Sequence, residues 1–141
     1  MASLVYHNAI KKTLEGSIDY DTDTFYMMLV TSSYSPNKDT HDFRDDVTNE
    51  VANGNGYTTK GAAVTLTVGS IDATNDRVEI GIGTVTWATS TITAAGAVVY
   101  KYRGGADTAD ELVCFLDFGG DVASAGGDFQ VVTSQGIRFS N

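Results

Sequence analysis

Seven or eight short runs of strand-forming residues, each closed by a cluster of glycine, asparagine or aspartate, occupy most of the chain beyond its first sixteen residues. TFYMMLVTS (Thr24 to Ser32) is apolar without alternation, which suits one strand buried on both faces. AAVTLTV alternates cleanly, placing Val64, Leu66 and Val68 on one side, and RVEIGIG repeats the pattern with Val78, Ile80 and Ile82. TVTWATSTIT surrounds the sole tryptophan, Trp87; AGAVVYKY, ELVCFLDF, DFQVVTS and IRFS complete the set. Between them lie turn clusters such as DATNDR, GGADTAD and GGDVASAGGD. Short strands at this spacing predict a mainly β fold, an antiparallel jelly-roll-like β-sandwich. A parallel α/β sheet is not expected, because strands and helices do not alternate.

One helix is expected, over about residues 3–15. Tyr6, Ala9, Ile10 and Leu14 fall on one side at helical spacing, with Asn8, Lys11, Lys12 and Glu15 opposite. Ser3 is positioned to cap its start and Gly16 to end it. Such a short amphipathic helix must dock on something larger, its own domain or a neighbour. The 141 residues form one domain, residues 1–141, with the sandwich over about residues 20–141. A chain of this mass buries about two-thirds of its unfolded surface, enough for a core without staples.

Charge narrows the partners. Eighteen acidic residues outnumber nine basic ones, and the basic residues are scattered with no stripe to replace counterions around phosphates. No nucleic acid and no anionic membrane is therefore expected as a partner. Cys114 is the only cysteine, so no intramolecular disulfide forms; within ELVCFLDF it reads as a small hydrophobe. The N-terminus lacks a basic segment followed by a long apolar one, so no signal peptide is expected. No apolar run approaches the roughly 20 residues of a membrane helix.

Two acidic groups invite a metal reading. Asp19, Asp21 and Asp23 are spaced like the start of a calcium loop, but the sixth position is Thr24 and the twelfth Val30, where a glycine and a glutamate are needed. They read instead as the polar approach to a buried strand. Asp39, Asp42, Asp45, Asp46 and Glu50 lie in the long charged connection from Ser35 to Gly61, where HDFRDDV suits one helical turn and NGNGY a tight turn. That cluster reads as a solvated face partly balanced by Lys38 and Arg44. His7 and His41 belong to no catalytic motif, and neither a G-x-S-x-G elbow nor H-E-x-x-H occurs. GIGTVTW leads into strand formers, not a helix, so it offers no phosphate cradle. No catalytic, cofactor-binding or metal-ligating residue is nominated, and no enzyme activity is expected.

Taken in order, DTDT, LVTSSYSPNKDTHDFRDDVTNEV, GYTTKGAAVT, NDRVEI, VTWATSTITA and AVVYK resemble a family of small tailed-bacteriophage virion proteins, the capsid decoration (cement) proteins. The resemblance covers most of the chain, from the end of the helix to about Phe118. It implies a jelly-roll-type sandwich made in the host cytoplasm that binds the outer capsid surface of the virion. The partners implied are the major capsid protein and the chain itself, as a dimer or trimer, with no cofactor.

Two elements are candidate contacts: the helix, through Tyr6, Ile10 and Leu14, and the acidic connection, through Asp42, Phe43 and Arg44. Packing on its own sheet is the alternative for the helix, free solvation for the connection. Rival functions are a phage tail or head-fibre component, and a carbohydrate-binding jelly-roll module stacking sugars on Trp87 or exposed tyrosines.

Overall fold

The computed structural model describes residues 2–141. A two-residue strand, β1 (Leu4–Val5), precedes the helix α1 (His7–Leu14) and the strand β2 (Phe25–Val30). After the long connection come β3 (Ala62–Val64), β4 (Leu66–Val68), β5 (Arg77–Ile82), β6 (Val85–Ser90) and β7 (Thr93–Lys101). The chain closes with β8 (Leu112–Ala123), β9 (Gly127–Val131) and β10 (Ile137–Ser140).

A five-stranded sheet in the order β1-β8-β7-β2-β3 forms one layer. A three-stranded sheet, β10-β5-β4, and a two-stranded one, β6-β9, share its core. Every strand pair among the described residues is antiparallel. The fold is mainly β and sandwich-like with one helix, as the spacing of the runs predicts. Its sheets of five, three and two strands differ from the two four-stranded sheets of a simple eight-stranded jelly roll.

β2 is buried on both faces, as its unbroken apolar run requires. Phe25, Met27 and Leu29 enter the core between the sheets, where they meet Ala97 and Val99 of β7. Met28 and Val30 point the other way, into a second cluster with Tyr6, Tyr34, Val98, Tyr100, Leu112 and Phe115. Each such side chain contributes about 1.5–3 kcal/mol when fully buried. The second face therefore needs a cover, which the start of α1 and the connection after β2 provide.

Three expectations are corrected. The helix starts at His7, not Ser3: Leu4 and Val5 pair with Phe115 and Cys114 on the edge of β8, and the Ser3 hydroxyl accepts the Asp117 N–H instead of capping. Edge pairing wins because these two residues are strand formers beside an open ladder. The helix does end at Gly16, whose φ of +79° closes a Schellman motif: Ser17 N–H reaches the Lys12 carbonyl and Gly16 N–H that of Thr13. The run AAVTLTV makes two strands rather than one, because the chain bends at Thr65 and passes from one sheet to the other: β3 pairs with β2, β4 with β5. Finally, β8 continues through Gly119 and Gly120, expected to be turn. Both have positive φ there, and they absorb a bulge opposite Ala94 and Gly96.

Trp87 belongs to the inter-sheet core. It is 6% exposed, with ring centroids 6.0 Å from Tyr57 and 6.2 Å from Phe129. Trp87→Ala is expected to destabilise the fold by about 3–5 kcal/mol in urea unfolding. A loss under about 1 kcal/mol would contradict this packing.

Candidate interaction face

The helix and the connection after β2, nominated separately in sequence, form one surface on the outer side of the five-stranded sheet. His7 N–H donates to the Lys38 carbonyl (3.0 Å) and Asn8 Nδ2 to the Asp42 carbonyl (3.1 Å). His7 Nδ1 lies 2.9 Å from Asp39 Oδ1. Beneath them, the Tyr6 and Tyr34 hydroxyls are 2.9 Å apart, and Tyr34 Oη is 3.0 Å from His41 Nδ1. Burial, aided by that mutual contact, drives the Tyr6 hydroxyl far above its ordinary value, so it stays neutral.

The connection is tied down rather than freely solvated. HDFRDDV makes a single 3₁₀ turn at Arg44–Asp46, where Asp46 Oδ2 accepts the N–H groups of Asp42 (2.8 Å) and Phe43 (3.1 Å). NGNGY makes a tight turn closed in both directions between Gly54 and Tyr57, with Asn55 and Gly56 at φ 53° and 90°. Glu50 is held inward: its Oε1 accepts from Tyr57 Oη (2.8 Å) and Lys60 N–H (2.6 Å).

The strongest anchor was invisible in sequence. Arg44 Nε donates to Asp110 Oδ2 at 2.9 Å; the arginine side chain is 9% exposed and the aspartate fully buried. The guanidinium also sits 5.5 Å from the Tyr100 ring centroid, and Asp110 Oδ1 accepts the Arg103 N–H. Burial opposes the Arg44 charge, yet the hydrogen bond to Asp110, together with the nearby Tyr100 and Asp107, raises the guanidinium's pKa. Next door, Arg103 grips Glu111 at 2.7 and 2.8 Å. Burial would raise the Glu111 pKa, but the paired guanidinium holds it below the usual carboxylate range. The only available cue was two consecutive acids, Asp110 and Glu111, directly before an apolar strand.

The nominated contact residues thus divide. Tyr6 is fully buried and Arg44 is engaged internally, so neither presents its side chain to a partner. Asp42 and Phe43 are half-buried; the Asp42 carbonyl also accepts the Leu112 N–H, and Phe43 bridges to Glu111. Ile10 is 41% and Leu14 82% exposed, so the outer half of the predicted stripe faces solvent. Trp87, the sugar-stacking candidate, is core and offers no platform.

The remaining polar groups serve structure. Asp23 Oδ2 accepts the Asp19 N–H and lies 2.8 Å from Lys101 Nζ, while Asp21 Oδ1 accepts the Val68 N–H, so these carboxylates close a turn and pin it to β4 and β7. Among the described residues no group of three or more His, Cys, Asp or Glu is placed to hold a metal ion. Cys114 is buried, which pushes its thiol up to about 12 and leaves it unreactive near neutrality. A cleft of about 580 Å³ runs between the β1–β8 edge and the β9–β10 turn, lined by residues including Leu4, Phe115, Leu116 and Thr133. Thr133 Oγ1 is the one buried side-chain oxygen without a hydrogen-bond partner among the described residues.

No family model matches the chain, and neither a curated protein nor a solved structure is significantly similar to it.

Arg44→Ala strands the buried Asp110 charge and is expected to cost about 3–5 kcal/mol in urea unfolding. The lowered Glu111 pKa adds stability that is fully present above about pH 4.3, the ordinary glutamate value. It is lost as pH falls through the lower folded value. Glu111→Gln is therefore expected to flatten the acid fall of Tm, and an unchanged slope would rule out this contribution.

Proposed function

We propose that the chain is a structural virion protein of a tailed bacteriophage, bound to the outside of the assembled capsid and reinforcing it. The observation that carries this reading is the locked outer face. A helix and a long connection, neither of which folds alone, are bonded into one rigid surface on a sheet buried on both sides. A surface whose Asp46 and Glu50 carboxylates and Arg44 guanidinium are bonded inward is suited to presenting shape, not chemistry. The sequence resemblance to decoration proteins points the same way, and a jelly-roll relationship belongs to this proposal.

The mechanism is mechanical. Heat or internal pressure opens a shell by separating its subunits. A protein that binds the closed lattice and not the separated subunits stabilises the lattice by mass action. A standard interface hides about 800 Å² on each partner, roughly a ninth of this chain's 7205 Å². The major capsid protein is the partner, and copies of the chain bound together gain through effective concentration. A rigid face loses little conformational entropy on docking, which favours affinity.

Purified protein mixed with undecorated shells is expected to co-sediment with them and to raise the temperature at which they open. Protein left in the supernatant, or shells that open at an unchanged temperature, would refute the assignment.

A further inference from the structure

We infer that the open side of the sandwich binds an extended segment of another protein, which adds as a strand in the cleft between the edges of β1 and β10. The inference goes beyond the proposed function and does not rest on it.

The two main sheets are joined along one side only. There β3 and β4 follow one another through the bend at Thr65, each at the end of its own sheet. The opposite ends of the two strand orders are β1 and β10, and among the described residues no further strand pairs with the outer side of either. The cleft of about 580 Å³ lies between these two edges. Ile82, Val131 and Ile137, members of the inter-sheet core, line its depth, and the exposed Ser3, Ser134 and Gln135 line its mouth.

Both edges carry unpaired backbone. The Tyr6 N–H donates to the Val113 carbonyl (3.1 Å), toward β8, so one residue earlier the Val5 N–H and C=O point away from β8. On β10 the Asn141 N–H donates to the Asp76 carbonyl (3.0 Å), toward β5, so by alternation the Arg138 N–H and C=O point away from β5. Glu79 Oε1 already takes the Gly136 N–H (2.9 Å), so the free edge of β10 begins at Arg138. Thr133 Oγ1, in a residue lining the same cleft, is the buried oxygen left without a partner among the described residues, and an incoming carbonyl would accept its proton.

Unpaired ladder edges above an apolar floor recognise an extended backbone, the chemistry of strand addition. Each strand of this chain already lies in one of its own sheets, and the connection after β2 is bonded down. A second copy therefore has no spare extended segment among the described residues, and the occupant belongs to a different protein. Its side chains alternate, apolar toward the floor and polar toward the mouth. The chain's net charge of -9 favours lysine or arginine in the flanks of that segment.

Amide exchange and chemical-shift mapping on the full chain test this with a synthetic eight-residue peptide that alternates valine and threonine between terminal lysines. In the free protein the Val5 and Arg138 amides are expected to exchange about tenfold faster, or more, than those of Tyr6 and Ile137. Added peptide is expected to slow both and to shift their resonances to saturation. Arg138→Pro removes the outward N–H at an edge position that tolerates proline, and is expected to abolish binding. Thr133→Val removes the orphan hydroxyl; it is expected to raise Tm while weakening the peptide several-fold, a pairing of effects that a purely structural threonine would not give. Val5 and Arg138 amides already protected in dilute protein, no saturable shift at millimolar peptide, shifts that map away from the cleft, or full binding by both variants would overturn the inference. Protection that grows with protein concentration alone would overturn it too, by showing that a second copy fills the cleft. Co-sedimentation with shells is read separately, so either proposal can fail while the other stands.

Discussion

The double burial of β2 and β7 sets the terms for the rest of the molecule. Both strands carry apolar side chains on each face, so one sheet packed against them satisfies only half of what they present. The inner half meets β4, β5, β6, β9 and β10. The outer half, with Met28, Val30, Val98 and Tyr100, needs its own cover or it faces water. At roughly 25 cal/mol per Å² of apolar surface, leaving that face bare would be comparable to the whole stability of a small domain. Leu4 and Tyr6, on the chain leading into the helix, and Tyr34 and Val47 of the connection after β2 supply that cover.

Covering a sheet with irregular chain raises a second problem, since backbone and charged groups come with it. The connection solves it by bonding its polar groups to the sheet and to itself. Asp46 caps the 3₁₀ turn, Glu50 receives Tyr57 and Lys60, and Arg44 reaches Asp110 across the end of the sheet. A buried ion pair of this kind adds little net stability over an apolar substitute. What it supplies here is registry: it fixes where the connection crosses the sheet, and with it the surface that α1 and the connection present together. That predefined shape is what the proposed binding role requires.

Much of the fold was legible locally. The unalternating run at Phe25–Val30 announced double burial, NGNGY its tight turn, HDFRDDV its single turn of helix, and Gly16 the helix end. Other residues misled because local pattern and tertiary context compete. Leu4 and Val5 lay within the expected helix of about residues 3–15, but an open edge on β8 claimed them. Val64 and Leu66 alternated as though in one strand, yet the chain changes sheet between them. Tyr6 and Leu14 looked equivalent on a helical projection; one is sealed under Tyr34 and the other stands in solvent. Arg44 and Asp110 are 66 residues apart, a pairing that no local window contains.

Composition and periodicity by themselves determined a mainly β, antiparallel chain with one helix and one strand buried on both sides, because these depend on side-chain spacing within a few residues. Tertiary structure alone decided which residues remain available to a partner. Availability depends on what the far chain brings to each face: the sheet and Tyr34 seal Tyr6 at the helix cap while Leu14 stands free, and Phe139 at the end of β10 is left partly uncovered. Burial is a property of pairs of elements, and no single stretch of sequence carries it.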